Sequence, residues 1–139
     1  MQLDFTKSDG LIPAIIQDDS SGDVLMLGFM NEVAFAETQR TQEVVFFSRS
    51  RNRLWKKGES SGHVLQVREI RIDCDADSLL IRVTPIGPGV CHEGYRSCFF
   101  RSIANDGETQ IIAQRTFDPE KIYAQETTPQ EIKLEETKR

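Results

Sequence analysis

The stretch Val64-Leu65-Gln66-Val67-Arg68-Glu69-Ile70-Arg71-Ile72 runs directly into Asp73-Cys74-Asp75-Ala76-Asp77, and Ser78-Leu79-Leu80-Ile81-Arg82-Val83-Thr84 follows. Two apolar, β-branched runs flank five residues that hold three carboxylates and one thiol. The runs read as partner strands. Alternation in the first is imperfect: Val64, Ile70 and Ile72 lie on one parity, Leu65 and Val67 on the other. A bulge, or partial burial of both faces, accounts for that. If the backbone stays extended through Asp77, Asp73, Asp75 and Asp77 share one face and Cys74 takes the other. Three like charges on one face repel unless a cation or several donors sit among them. Carboxylate oxygens suit Mg²⁺, Ca²⁺ or Mn²⁺, and a thiolate suits Zn²⁺. The stretch could thus serve two metals. The competing reading is an acidic turn ending an edge strand, with Cys74 a small buried apolar residue.

Outward from this stretch, the chain reads as mainly β, a β-rich α+β fold with antiparallel sheets. Residues 11–18 and 24–29 make a hairpin across the turn Asp18-Asp19-Ser20-Ser21-Gly22. Asn31 can cap a short surface helix reaching about Arg40, with Met30, Val33, Ala34 and Glu37 as its one-sided stripe. Residues 44–48 are a buried strand. On the far side, Pro85-Ile86-Gly87-Pro88-Gly89 breaks regular structure. A strand begins at Phe99, Asn105-Asp106-Gly107 turns it, and residues 110–113 return. Asp118 and Pro119 open a helical tail, with a second helical or frayed segment over 130–138.

The 139 residues suffice for one domain, and no apolar run approaches the length of a membrane span. The N-terminus shows no signal-peptide pattern, so a cytoplasmic protein is the expectation. Three cysteines there do not suggest a disulfide framework. A net charge of −5 argues against a dedicated nucleic-acid binder.

Two loops carry chemistry. Residues 48–63 place five cations within positions 49–57, followed by Gly58, Ser60, Ser61, Gly62 and His63. They read either as a grip for an anionic ligand or as a solvated basic hairpin. Trp55 could stack on a planar ring or simply pack. Residues 91–101 hold Cys91, His92 and Cys98 in a loop entered through two prolines. Cys74, Cys91 and Cys98 could give one Zn²⁺ three thiolates, leaving the fourth position to water or to His63 or His92. Zinc can bring bound water to a pKa near ~7, and a nearby His can move its proton.

Five stretches together resemble one family. They are Gly28-Phe29-Met30-Asn31-Glu32, Ser48-Arg49-Ser50-Arg51, Leu54-Trp55-Lys56-Lys57-Gly58-Glu59-Ser60-Ser61-Gly62-His63, Asp73-Cys74-Asp75-Ala76-Asp77, and Gly87-Pro88-Gly89-Val90-Cys91-His92 through Ser97-Cys98-Phe99-Phe100-Arg101. The family is phosphoribosyl-AMP cyclohydrolase of histidine biosynthesis, and the resemblance covers roughly residues 10–103. It implies addition of water to C6 of the purine of 1-(5-phosphoribosyl)-AMP and opening of the N1–C6 bond. It implies one Zn²⁺ per subunit at Cys74, Cys91 and Cys98 and Mg²⁺ at Asp73, Asp75 and Asp77. His92 is the first candidate for proton transfer and His63 the second. Arg49, Arg51, Trp55, Lys57 and Ser61 are the candidate substrate contacts. It further implies a homodimer, intertwined, whose zinc ligands come from both subunits, and a single-function chain. The fold expected is a barrel-like core, with a cyclohydrolase domain at 1–116 and, outside the resemblance, a helical extension at 117–139. Ser60 stands where Thr is expected, and either supplies a hydroxyl. Two rivals are a non-catalytic zinc module binding an anionic partner or RNA through residues 49–57, and a zinc deaminase, whose P-C-x-x-C pattern is absent.

Overall fold

The computed structural model describes residues 2–126 and, of the last four of these, the backbone only. Its elements in chain order are β1 (Ile12–Asp18), β2 (Val24–Met30), α1 (Glu32–Thr41), β3 (Val45–Ser48), β4 (Arg53–Lys56), β5 (Leu65–Ile72), β6 (Leu79–Pro85), β7 (Arg101–Ile103), β8 (Thr109–Ile111) and α2 (Pro119–Glu126). The expected second helical segment at 130–138 lies outside the described residues.

Two hairpins build the main sheet. β1 and β2 pair antiparallel, as do β5 and β6, and the hairpins join through a parallel β1–β6 pair, giving the order β2-β1-β6-β5. The sheets are therefore antiparallel except at that seam. The barrel-like core is corrected: the described strands form one four-stranded sheet and two separate hairpins, β3–β4 and β7–β8, and no closed barrel.

The inward face explains why these residues are strands. Ile12, Ala14 and Ile16 of β1 alternate with more exposed neighbours, as do Leu79, Ile81 and Val83 of β6, and all six are buried. The bulge expected in β5 falls between Val67 and Glu69. It moves the inward parity by one, so Val67 faces Val83 and Ile70 faces Ile81.

Helix α1 and the β3–β4 hairpin cover this face. Asn31 caps the helix, its side-chain oxygen accepting from the Ala34 N–H at 2.8 Å. The expected stripe is shifted: Val33 is 56% exposed, and the buried face is Ala34 and Thr38. Thr38 ties the helix to β3, since its hydroxyl donates to Ala34 O and accepts from Val45 N at 3.0 Å. Phe46 lies over β2 where Gly28 leaves room: a Cβ there would sit 2.5 Å from the ring. β7 and β8, by contrast, have no buried residue.

Candidate active site

The acidic stretch is not extended. β5 ends at Ile72, β6 begins at Leu79, and these two residues pair across the turn. Ala76 has φ 63°, in the left-handed region, and Asp4 N–H donates to Ala76 O at 2.7 Å. Strand alternation therefore does not divide the residues between two faces. The carboxylates converge by another route. Asp73 accepts from the N–H groups of Asp77 and Ser78 and from the Ser78 hydroxyl at 2.7 Å, which folds the turn around it. One oxygen from each of Asp73, Asp75 and Asp77 then lies within 4.8 Å of the others. The Ser78 hydroxyl above all, against a smaller effect of burial, holds Asp73 down at a pKa of about 2. Lys7 meets the remaining charge, reaching Asp77 at 3.1 Å and Asp75 at 3.3 Å. Three hard carboxylate oxygens in one place fit Mg²⁺.

The cysteine loop is staked to the rest of the fold at several points. Arg96 pairs with Asp18 at the end of β1 and with Asp23 of the β1–β2 turn. The Ser97 hydroxyl donates to Val24 O at 2.8 Å, and Cys98 N–H donates to Leu25 O at 2.7 Å. Cys91 N–H donates to Tyr95 O at 3.0 Å, and Tyr95 stacks on Phe100 with ring centroids 3.8 Å apart. These ties bring the Cys98 thiol within hydrogen-bond reach of the Cys91 sulfur. That bond, with the N–H groups of Glu93 and Tyr95, lowers Cys91 to about 6, although burial opposes it. The partner is pushed up: Cys98 stays a thiol because Cys91 takes the charge and burial adds to the effect. A thiolate–thiol pair is a soft donor set that fits Zn²⁺. Cys74, on the β5–β6 turn, does not join them: among the described residues the only group of three such ligand atoms within reach of one another is the carboxylate trio.

His63 and His92 differ sharply. His92 is exposed beside Cys91. His63 is buried, its Nδ1 lies 3.1 Å from Gly89 O, and its ring meets the Phe117 ring edge-on at 5.0 Å. Gly87 makes the close approach possible, because a Cβ there would fall 2.4 Å from His63 Cδ2. The Ser61 hydroxyl accepts from His63 N–H at 3.1 Å.

The basic stretch is a hairpin, β3–β4, with Phe46 opposite Trp55. It divides the expected substrate contacts. Arg49 stacks on Phe29 at 3.9 Å and, with Trp55, Phe47, Ser48 and Leu27, lines an open groove of about 520 Å³. Trp55 also packs on Phe46, at 5.3 Å. Arg51 sits on the hairpin turn, where its N–H donates to the Ser48 hydroxyl at 3.3 Å. Lys57 and Ser61 are buried and are not among that groove's lining residues, and Lys57 is close enough to bear electrostatically on Cys98.

Four contributors were invisible in the sequence reading. Lys7, Arg96, Arg115 and Phe117 all act across long sequence separations. Ser78, directly after the acidic run, had a readable signal: a hydroxyl able to close a turn on Asp73.

A β-rich domain that carries a cysteine pair, an oriented histidine and a carboxylate trio has the make-up of a small-molecule enzyme. The family model for phosphoribosyl-AMP cyclohydrolase matches residues 26–100, a span that holds all of these groups. A phosphoribosyl-AMP cyclohydrolase from Solibacter usitatus (strain Ellin6076) is 56% identical over 123 residues, 88% of this chain and 97% of the relative. Those from Desulforapulum autotrophicum and from Nitratidesulfovibrio vulgaris (strain DP4) are 53% and 51% identical, covering 98% and 94% of their lengths and 88% and 86% of this chain. The chain belongs to the phosphoribosyl-AMP cyclohydrolase family and is a hydrolase acting on a carbon–nitrogen bond.

Proposed function

We propose that this chain opens the purine ring of 1-(5-phosphoribosyl)-AMP in the cytoplasm, as a step of L-histidine biosynthesis. Water adds at C6, the N1–C6 bond breaks, and the formimino carboxamide product leaves. The observation that carries the reading is the Cys91–Cys98 pair, held by the fold inside the family-matched segment. Those sulfurs and a third from Cys74 would hold Zn²⁺, which when bound supplies the Lewis acidity that makes water nucleophilic near neutral pH.

Cys74 lies apart from the pair within one chain, so a second copy supplies it in this reading. The β7–β8 hairpin supports such a homodimer. Ile103, Ile111 and Ile112 are 74%, 55% and 61% exposed there, and the hairpin adjoins the cysteine loop.

The chain's own groups then divide the work. His92, exposed next to Cys91, and His63, fixed by Gly89 O, are the two groups able to move a proton. Arg49 and Arg51 offer forked donors to phosphate, and Trp55 with Phe29 gives the groove apolar walls for a purine. Lys57 and Ser61 add a buried charge and a hydroxyl near the reacting end. Asp73, Asp75 and Asp77 would hold Mg²⁺, with Lys7 giving way to it. The non-catalytic zinc module is not favoured, since the relatives bear an enzyme's name.

Ring opening changes the ultraviolet absorbance of the purine, so turnover is read directly on purified protein alongside its metal content. Replacing Cys91 with Ser is expected to remove tight zinc and to lower kcat by at least about 10³-fold. A zinc-free Cys91→Ser protein with full activity overturns the reading.

A further inference from the structure

We infer that residues 115–117 form a strap that positions His63 and the cysteine loop, with Arg115 and Phe117 as positioning residues. They lie beyond the family-model match, which ends at residue 100.

The strap bears on the loop between the two cysteines. Arg115 Nε donates to Glu93 O at 2.8 Å, and its guanidinium lies 5.3 Å from the Tyr95 ring centroid. The N–H groups of Thr116 and Phe117 both donate to Gly94 O, at 2.8 Å and 3.4 Å. The fit depends on absent side chains. A Cβ on Gly94 would fall 2.7 Å from Phe117 O, and one on Gly89 would fall 2.8 Å from both Phe117 Cε1 and Thr116 Oγ1.

The same segment closes the cage around His63. Gly87 packs against one side of the ring, Gly89 O meets Nδ1, and the edge of Phe117 supplies the third contact. A carbonyl only accepts, so Nδ1 carries the proton in the neutral ring and Nε2 carries the lone pair. Without Phe117 one wall is gone, and the imidazole can turn away from Gly89 O.

The activity arm of the test rests on the proposed ring-opening reaction; the spectroscopic arm does not. Phe117→Ala, Phe117→Tyr and Arg115→Ala are compared with the parent protein by zinc content, by kcat and KM, and by imidazole ¹⁵N spectra, which contain only two histidines. Phe117→Ala is expected to keep its zinc and its KM, to lose about 10- to 100-fold in kcat, and to replace the fixed Nδ1–H pattern of His63 by a tautomer average. Phe117→Tyr restores both. Arg115→Ala keeps the His63 pattern and lowers kcat less. An unchanged His63 spectrum or unchanged kcat in Phe117→Ala overturns the strap, as does an equal loss in Phe117→Tyr. Should Phe117→Ala not fold, Arg115→Ala decides: wild-type kcat there overturns the proposal. A parent protein that does not turn over sinks the ring-opening reading, while the imidazole spectra still judge the strap.

Discussion

Asp73 shows how one side chain shapes the site. It takes three donors from Asp77 and Ser78, and its pKa falls from the ordinary 3.8 to about 2. Because the folded value lies below the unfolded one, its contribution to stability is complete above pH 3.8 and drains away as the pH falls towards 2. A ¹³C carboxylate titration in Mg²⁺-free buffer should find the Asp73 midpoint near 2 in the parent and nearer 3.8 in Ser78→Ala. A parent midpoint at the ordinary value contradicts the turn geometry. The residue scale also marks what the sequence could and could not disclose. The meeting of Asp73, Asp75 and Asp77 is legible from their spacing, but strand alternation is not what produces it. Alternation presumes an extended backbone, whereas the Ser78 hydroxyl and the left-handed Ala76 make a turn.

Among the elements, the local signals were legible and the long-range ones were not. Asn31 announced α1, the mixed parity of β5 announced its bulge, and Asn105-Asp106-Gly107 announced the β7–β8 turn. The parallel β1–β6 seam left no such mark, because it joins residues more than sixty positions apart and both strands read as ordinary buried runs. The helix stripe is legible only in part: Met30 and Ala34 are buried, but Val33 is exposed and the other buried helix position is the polar Thr38, whose hydroxyl satisfies Val45 N–H. The β7–β8 hairpin makes a prediction at this scale. Its isoleucines are exposed in the single chain, and the proposed dimer covers them. Ile111→Asp with Ile112→Asp should convert a dimer to a monomer in sedimentation while the circular dichroism of the main sheet persists. A dimer of unchanged affinity would show that the hairpin faces water.

At the scale of the molecule, the main sheet acts as a spacer. It carries Cys74 on the β5–β6 turn, apart from the Cys91–Cys98 pair, which is anchored by Arg96 and Leu25 to the β1–β2 hairpin. One chain therefore holds two of its cysteine sulfurs at one place and the third at another. The proposed account makes the site whole only between two copies. The sequence offers three cysteines as candidate zinc ligands, but their separation within a chain is a property of the topology, and no spacing rule carries it. The most direct test mixes two inactive proteins, Cys74→Ser and Cys91→Ser, through a step that exchanges subunits, and follows ring opening by absorbance. Random assortment puts half the molecules into hybrids with one complete site of two, so about a quarter of wild-type turnover should return. No recovery on mixing, or full activity in either parent variant, would contradict a zinc site shared between subunits.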